Sequence, residues 1–254
     1  MALPVLWHFT VSHFNEKVRW ALDFKRVPHV RRMLLPGAHL LKIWRMTGQT
    51  AVPVLVLDGR AIHDSTRIIE ALERAHPEPP LYPADESDRR RALELEDFFD
   101  RQLGPWVRLR LAHALFLHDP ELAPAVFTVG MPAGSRRALA VVAPVFRRLY
   151  RLRYGIDAER AEVGRAKILA ALDRIERELR PSGYLVGDGF GVADLTAAAL
   201  FYPLVQPALF PYPWPRPLPA SLEEERAAIA GHAGYRWLAE MYARHRGTSA
   251  EVAA

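Results

Sequence analysis

A serine just ahead of a helix, a proline at the start of a strand and an acid–hydroxyl pair behind a hairpin are the residues of this chain that could hold and activate a small polar ligand. Thr10-Val11-Ser12-His13 stands between an apolar run, Val5 to Phe9, and the amphipathic pattern of Ser12 to Lys25. Ser12 is a natural N-cap. A thiol brought to that point would have its ionised form favoured by the hydroxyl and by the positive end of the helix. Val52-Pro53 opens an apolar run that leads into a hairpin. Proline offers no N–H to a ladder, so it marks an edge, a first strand position or a cis bond. Any of these leaves the Val52 backbone free to pair with an extended peptide. Asp64-Ser65-Thr66 follows the hairpin directly. The free N–H groups of a helix start, with small hydroxyls beside them, suit a carboxylate. Each feature also has a plainer reading: an N-cap for Ser12 and for Asp64-Ser65, a strand start for Pro53.

The elements that must position these residues follow from periodicity. Val5 to Phe9 reads as a buried strand, and Phe14, Val18, Ala21, Leu22 and Phe24 form one helical stripe. His29 to Leu35 is extended, and Leu40, Leu41, Ile43 and Trp44 mark a short helix. Val52 to Leu57, the Asp58-Gly59 turn and Ala61 to His63 make a hairpin. A helix from Asp64 to about His76 completes a βαβαββα order, which combines a βαβ unit with an antiparallel edge. Pro77, Pro79, Pro80 and Pro83 then interrupt the chain. Beyond them the pattern is helical: Asp85 to about Leu117 with a bend at Pro105, about Glu121 to Tyr154 with a break near Gly130, and Ala158 to Leu179. Val192–Leu204, Leu222–Ala230 and Tyr235–His245 follow. The expected fold is therefore α/β plus all-α. Residues 1–76 form a thioredoxin-like domain, 77–84 a linker and 85–254 an all-helical domain.

Composition narrows the chemistry. With no cysteine, disulfides, thiolate metal sites and cysteine nucleophiles are all excluded. The formal charge is +5, but arginines alternate with acids along helical faces, as in Asp173-Arg-Ile-Glu-Arg-Glu-Leu-Arg. That is the pattern of a solvated face, so no nucleic-acid partner is expected. The apolar stretch Ala197 to Val205 contains Pro203 and is far too short to cross a bilayer. No basic start with a following apolar run opens the chain, so the expectation is a cytoplasmic protein without a membrane partner.

Four segments together carry a family resemblance. Ser12-His-Phe-Asn-Glu-Lys-Val-Arg-Trp-Ala-Leu resembles the first-helix motif of cytosolic glutathione transferases, with serine in the position that cysteine holds in other classes. Gly48-Gln-Thr-Ala-Val-Pro-Val-Leu resembles the family's turn into a cis-proline strand, and Ile62-His-Asp-Ser its acid–serine glutathione signature. Tyr184-Leu-Val-Gly-Asp-Gly-Phe-Gly-Val-Ala-Asp-Leu resembles its helical capping-box region. The resemblance spans about residues 5–205 in order and spacing, and suggests a serine-type, bacterial-like member.

The resemblance implies that Val52 pairs with the cysteinyl part of glutathione, that Pro53 is cis and that Asp64 and Ser65 hold the γ-glutamyl end. Gln49 would approach the glycyl end, and Ser12 would stabilise the thiolate. His8 stands where tyrosine-type classes place a catalytic phenol, although a strand histidine is more often packed. Two residues depart from the pattern. Gly191 replaces the hydroxyl of the capping box and leaves only the Asp194 contact. Asn15 stands where redox relatives carry a second cysteine, so glutaredoxin-like, dehydroascorbate-reducing and disulfide-isomerase chemistry are excluded. The implied activity is transfer of glutathione, as cosubstrate, to a small hydrophobic electrophile, or glutathione-assisted isomerisation or reductive dehalogenation, in a detoxifying homodimer. The alternative on the same fold is a non-catalytic binding protein. Trp106, Arg110 and His113, at i,i+4 and i,i+3 spacing, are expected to share a face toward the substrate.

Overall fold

In the computed structural model, which describes residues 2–253, four short strands make one sheet ordered β2-β1-β3-β4. They are β1 (Val5–His8), β2 (Val30–Met33), β3 (Val54–Leu57) and β4 (Arg60–His63). β1 runs parallel to β2 and antiparallel to β3, and β4 closes the hairpin. Asp58 and Gly59 both have positive φ, 48° and 77°, which matches the turn to the right-handed twist of the flanking strands. Helices α1 (His13–Phe24), α2 (Leu40–Thr47) and α3 (Ser65–Ala75) complete this half. Residues 77–84 carry no helix or strand, and the Glu73 carboxylate accepts the Leu81 N–H at 3.1 Å.

An all-helical half follows. α4 (Glu86–Phe98) begins on Asp85, whose carboxylate accepts the Asp88 N–H at 2.9 Å. It passes through a π-helical stretch, Phe99–Leu103, into α5 (Gly104–His113) and a second π-helical stretch, Ala114–His118. Pro105 falls in the first turn of α5, where its missing N–H costs least, and the wide π turn before it absorbs the break. Then come α6 (Ala123–Phe127), α7 (Ala133–Tyr154), α8 (Ala158–Glu178), α9 (Val192–Val205), α10 (Ala220–Ile229) and α11 (Ala233–His245). Among the described residues no helix is long and apolar enough to cross a membrane.

Every residue of α9 is buried, and α1 packs along it. The Tyr202 hydroxyl donates to the Val11 carbonyl, which ties α9 to the loop before α1. Gly191 caps α9 without a side chain, so Asp194 acts alone: its carboxylate accepts the Gly191 N–H at 2.9 Å and the Leu185 N–H at 2.8 Å. Burial pushes the Asp194 carboxyl up to about 7 despite those donors. The folded form therefore binds the extra proton between 3.8 and about 7. From this group the unfolding free energy should fall as pH rises through that window. Urea midpoints measured across it should show the slope, and Asp194→Asn should remove it.

Charged residues are buried where α1 meets the C-terminal segment. Arg246 donates to Glu16 at 2.6 Å and to Asp23 at 2.9 Å; Arg19 donates to Glu16 at 2.8 Å, and Arg31 takes both Asp23 oxygens. The following residues lie along the open edge of β2, where the Val252 N–H donates to the His29 carbonyl at 2.9 Å. This covers an edge that would otherwise invite pairing with another chain.

Candidate functional site

The hairpin brings the predicted segments to one end of the sheet. Trp7 pairs with Val54 across the antiparallel β1–β3 ladder, so the end of β1 lies beside the start of β3. His63 pairs with the same Val54, so β4 returns the chain to that end at Asp64. The Val52–Pro53 bond is cis. A cleft of about 690 Å³ opens there, and Gln49, Val52, Pro53, Asp64 and Ser65 all line it. Ser12 is half-buried in the loop that follows β1 and is not among the lining residues, whereas Phe14, the second residue of α1, is.

Each residue has a definite local role. Ser12 caps α1 weakly, accepting the Asn15 N–H at 3.4 Å, which leaves its hydroxyl proton free for a ligand. Asp64 has φ 75° and ψ 125°, a conformation rarely adopted by a residue with a side chain. Its Oδ1 accepts the Thr66 N–H at 3.0 Å and the Arg67 N–H at 3.3 Å, while Oδ2 has no partner among the described residues. Asp64 is thus both the plain helix cap and a carboxylate with one open oxygen. The Gln49 amide is occupied by its own loop, donating to Thr47 at 2.9 Å and to the Ala51 carbonyl at 3.1 Å.

The floor of the cleft is a buried charge network. The Lys17 ammonium is fully buried and reaches Asp100 at 2.7 Å, Glu96 at 2.9 Å and Thr66 at 3.1 Å. Burial opposes its charge, but the Asp100 and Glu96 carboxylates outweigh burial and hold it above its ordinary range. Thr66 in turn donates to Asp100 at 2.8 Å, so the first turn of α3 is anchored to the π-helical stretch that follows α4.

His8 lies elsewhere. It is fully buried, and its Nδ1 accepts from Arg19 at 2.9 Å. Burial and then Arg19 lower its pKa well below the ordinary range, so the ring is neutral with its proton on Nε2. Nε2 has no partner among the described residues, and the Tyr212 ring stands 5.6 Å away. The packed reading of this strand histidine is the one the structure adopts. His13 is also neutral, lowered to about 3 by burial and by Arg108, and donates to the Gly104 carbonyl at 2.9 Å. Gly104 lets the Phe14 ring approach closely: a Cβ there would stand 2.4 Å from that ring and force it to shift. This close approach sets the Ser12 loop against the helical half.

A second cavity of about 220 Å³ adjoins the cleft, with Arg101 and Arg108 lining both. Trp106, Tyr150, Tyr154 and Arg160 are among its other wall residues. Arg108 stacks over Tyr154 at 4.8 Å, and neither Arg108 nor Arg160 has an acidic partner among the described residues. The expected face of Trp106, Arg110 and His113 is corrected here. Trp106 does line this cavity, but Arg110 on the same face packs on α8, where a Cβ on Gly164 would meet it at 3.1 Å. Arg110 is consumed by Glu225 at 3.0 Å, and the His113 ring lies 4.9 Å from His118. Thr66, the last residue of the Asp64-Ser65-Thr66 helix start, also lines the cleft. Glu70, Asp97, Asp100 and Arg108 line it too and carried no signal in the sequence.

A small sheet with a cis-proline cleft, facing an all-helical half, defines the class to which this arrangement belongs. Residues 6–80 match the model for the glutathione S-transferase N-terminal domain and residues 157–226 that for the C-terminal domain. The chain belongs to the glutathione S-transferase family. A Caenorhabditis elegans protein named as a probable maleylacetoacetate isomerase is 26% identical over 90% of this chain and 92% of its own length. FtsZ-localized protein A of Caulobacter vibrioides is 26% identical over 76% of this chain and 74% of its own. A solved glutathione S-transferase from Methylobacterium radiotolerans, in complex with glutathione sulfonate, shares the fold with a TM-score of 0.64 at 23% identity, covering 100% of this chain and 97% of that one.

Proposed function

We propose that this protein binds glutathione in the cis-proline cleft, activates its thiol and adds it to a small hydrophobic electrophile. The observation that carries the reading is that Gln49, Val52, Pro53, Asp64 and Ser65 line one cavity. In it the Val52 backbone pairs with the cysteinyl amide, the open Asp64 oxygen accepts the γ-glutamyl ammonium and the Ser65 hydroxyl donates to the neighbouring carboxylate. Gln49 borders the glycyl end. The thiol proton passes to solvent, and Ser12 donates a hydrogen bond to the thiolate, lowering the thiol pKa. The sulfur lone pair then forms the C–S bond while the leaving group departs with its bonding pair. Relatives named maleylacetoacetate isomerase support a second outcome of the same addition, in which elimination regenerates the thiol. The cavity of Trp106, Tyr150, Tyr154, Arg108 and Arg160 suits a flat acceptor, with unpaired guanidinium groups for a carboxylate.

In this proposal residues 1–76 bind the tripeptide, 77–84 connect and 85–254 supply the acceptor site and the contacts of a cytoplasmic homodimer; sedimentation of the purified chain tests the last. The second reading, a binding protein without turnover, is favoured by the position of Ser12 outside the cleft lining and by the FtsZ-localized relative.

Titrating the protein with glutathione while following thiolate absorbance separates the readings. An enzyme binds and ionises the thiol at neutral pH, and Asp64→Ala weakens binding about tenfold or more through loss of a charged hydrogen bond. Binding with an unshifted thiol leaves only the second reading, and no binding removes both.

A further inference from the structure

Helix α7 has a feature that glutathione chemistry does not use. Its inner face packs normally: Leu139 and Ala143 are buried, and Phe146 and Tyr150 meet Phe116 with ring centroids 5.9 and 5.4 Å apart. Its outer face is apolar as well. Val141, Val145, Leu149 and Leu152 are 81%, 63%, 61% and 74% exposed, with Val142 beside them. Their spacing keeps them on one stripe, ~16 Å long at the rise of an α-helix. Single exposed apolar residues are ordinary, but an aligned row on one helix is not.

The charges on the helix are of one sign. Arg136, Arg137, Arg147, Arg148, Arg151 and Arg153 are joined by no aspartate or glutamate in α7. None of them makes an ion pair among the described residues, although arginines elsewhere in the chain mostly do. On the helical wheel Arg137, Arg148 and Arg151 flank the stripe on one side and Arg153 on the other. The helix also lies in residues 81–156, which neither family model spans.

We propose that α7 is a membrane-surface helix that seats this protein on anionic lipid, with Val141, Val145, Leu149 and Leu152 in the acyl boundary and the flanking arginines at the phosphates. A second copy of α7 does not fit, because two such faces would set arginines against arginines with no acid to pair them. A convex ridge with cations on both edges fits a bilayer surface, which needs no preformed groove, better than it fits a protein partner. A membrane-surface α7 departs from the expectation of no membrane partner, which rested on apolar stretch length and the N-terminal pattern; sequence periodicity alone could not assign this face to solvent.

Co-sedimentation of the full chain with vesicles tests the proposal, using phosphatidylcholine alone and phosphatidylcholine with phosphatidylglycerol in equal amounts. Binding is expected to the anionic vesicles only and to fall steeply with added salt. Arg148→Gln with Arg151→Gln should weaken it roughly thirtyfold, from about fivefold per charge near the surface. Leu149→Glu should abolish it while leaving glutathione binding unchanged, which shows that the variant is folded. No binding to anionic vesicles at low salt would overturn the proposal, as would equal binding by Leu149→Glu. A concentration-dependent dimer dissolved by Leu149→Glu, or capture of an acidic peptide, without vesicle binding would assign the face to a protein instead.

Discussion

Lys17→Met is expected to cost about 3–5 kcal/mol of folding stability, because it removes one partner of a buried ion cluster and leaves the others without compensation. The ammonium is 0% exposed and sits between Asp100 at 2.7 Å and Glu96 at 2.9 Å. Methionine matches its length but returns neither the charge nor the donors. Glu96 also accepts the Tyr82 hydroxyl at 3.3 Å, so the loss spreads into the segment after α3. In the wild type this contribution is fully present below the ordinary lysine value of 10.5 and fades only as pH rises through the raised folded value. Neutral conditions, where the Asp100 and Glu96 carboxylates are ionised, should therefore show the full effect. Urea unfolding of Lys17→Met, Glu96→Gln and the double variant forms a cycle in which the double loss should be smaller than the sum. A Lys17→Met loss below about 1 kcal/mol would mean that water reaches the network and screens it. Because Thr66 rests on Lys17, glutathione affinity should weaken in the same variant.

Ser12→Ala should lower kcat/KM about a hundredfold, the scale of removing one donor from a developing anion. Glutathione affinity should change little, since the ligand would be held by Val52, Asp64 and Ser65 across the cleft. The thiol ionisation curve of the bound tripeptide should return toward its free position, a readout that loss of helix capping would not move. The capping cost itself should be small, because the Asn15 N–H stands 3.4 Å from the Ser12 oxygen. Ser12→Gly retains most of the capping and should lose activity just as fully. Undiminished activity in both variants would leave the thiolate to other donors, with the N–H groups of the α1 start the nearest candidates.

Of the site, the parts legible in sequence were those built by local rules. The Asp58-Gly59 turn places Asp64 opposite the start of β3, and proline at 53 marks where that strand begins. Gln49, Val52, Pro53, Asp64 and Ser65 could be read together because two short connections bring them to one sheet end. Phe14, Asp97, Asp100 and Arg108 could not, since their approach depends on how α4 and α5 dock across the sheet. Helical spacing correctly put Trp106 and Arg110 on one face. It carried no information on what that face meets, and Gly164 on α8 decided it.

What the sequence by itself determined is the order of strands and helices, the exclusion of cysteine chemistry and the residues at the turns that open the cleft. These follow from period, turn type and capping, which act over a few residues. Only the tertiary structure decided that Glu16, Arg19, Asp23, Arg31 and Arg246 form one buried network, because Arg246 arrives from far along the chain. It likewise decided that His8 is packed against Arg19 and that the apolar stripe of α7 faces outward. An apolar residue at helical spacing has the same sequence signature whether it meets a core or a surface. The difference lies in which neighbours fold against it, and those are chosen by contacts between distant segments.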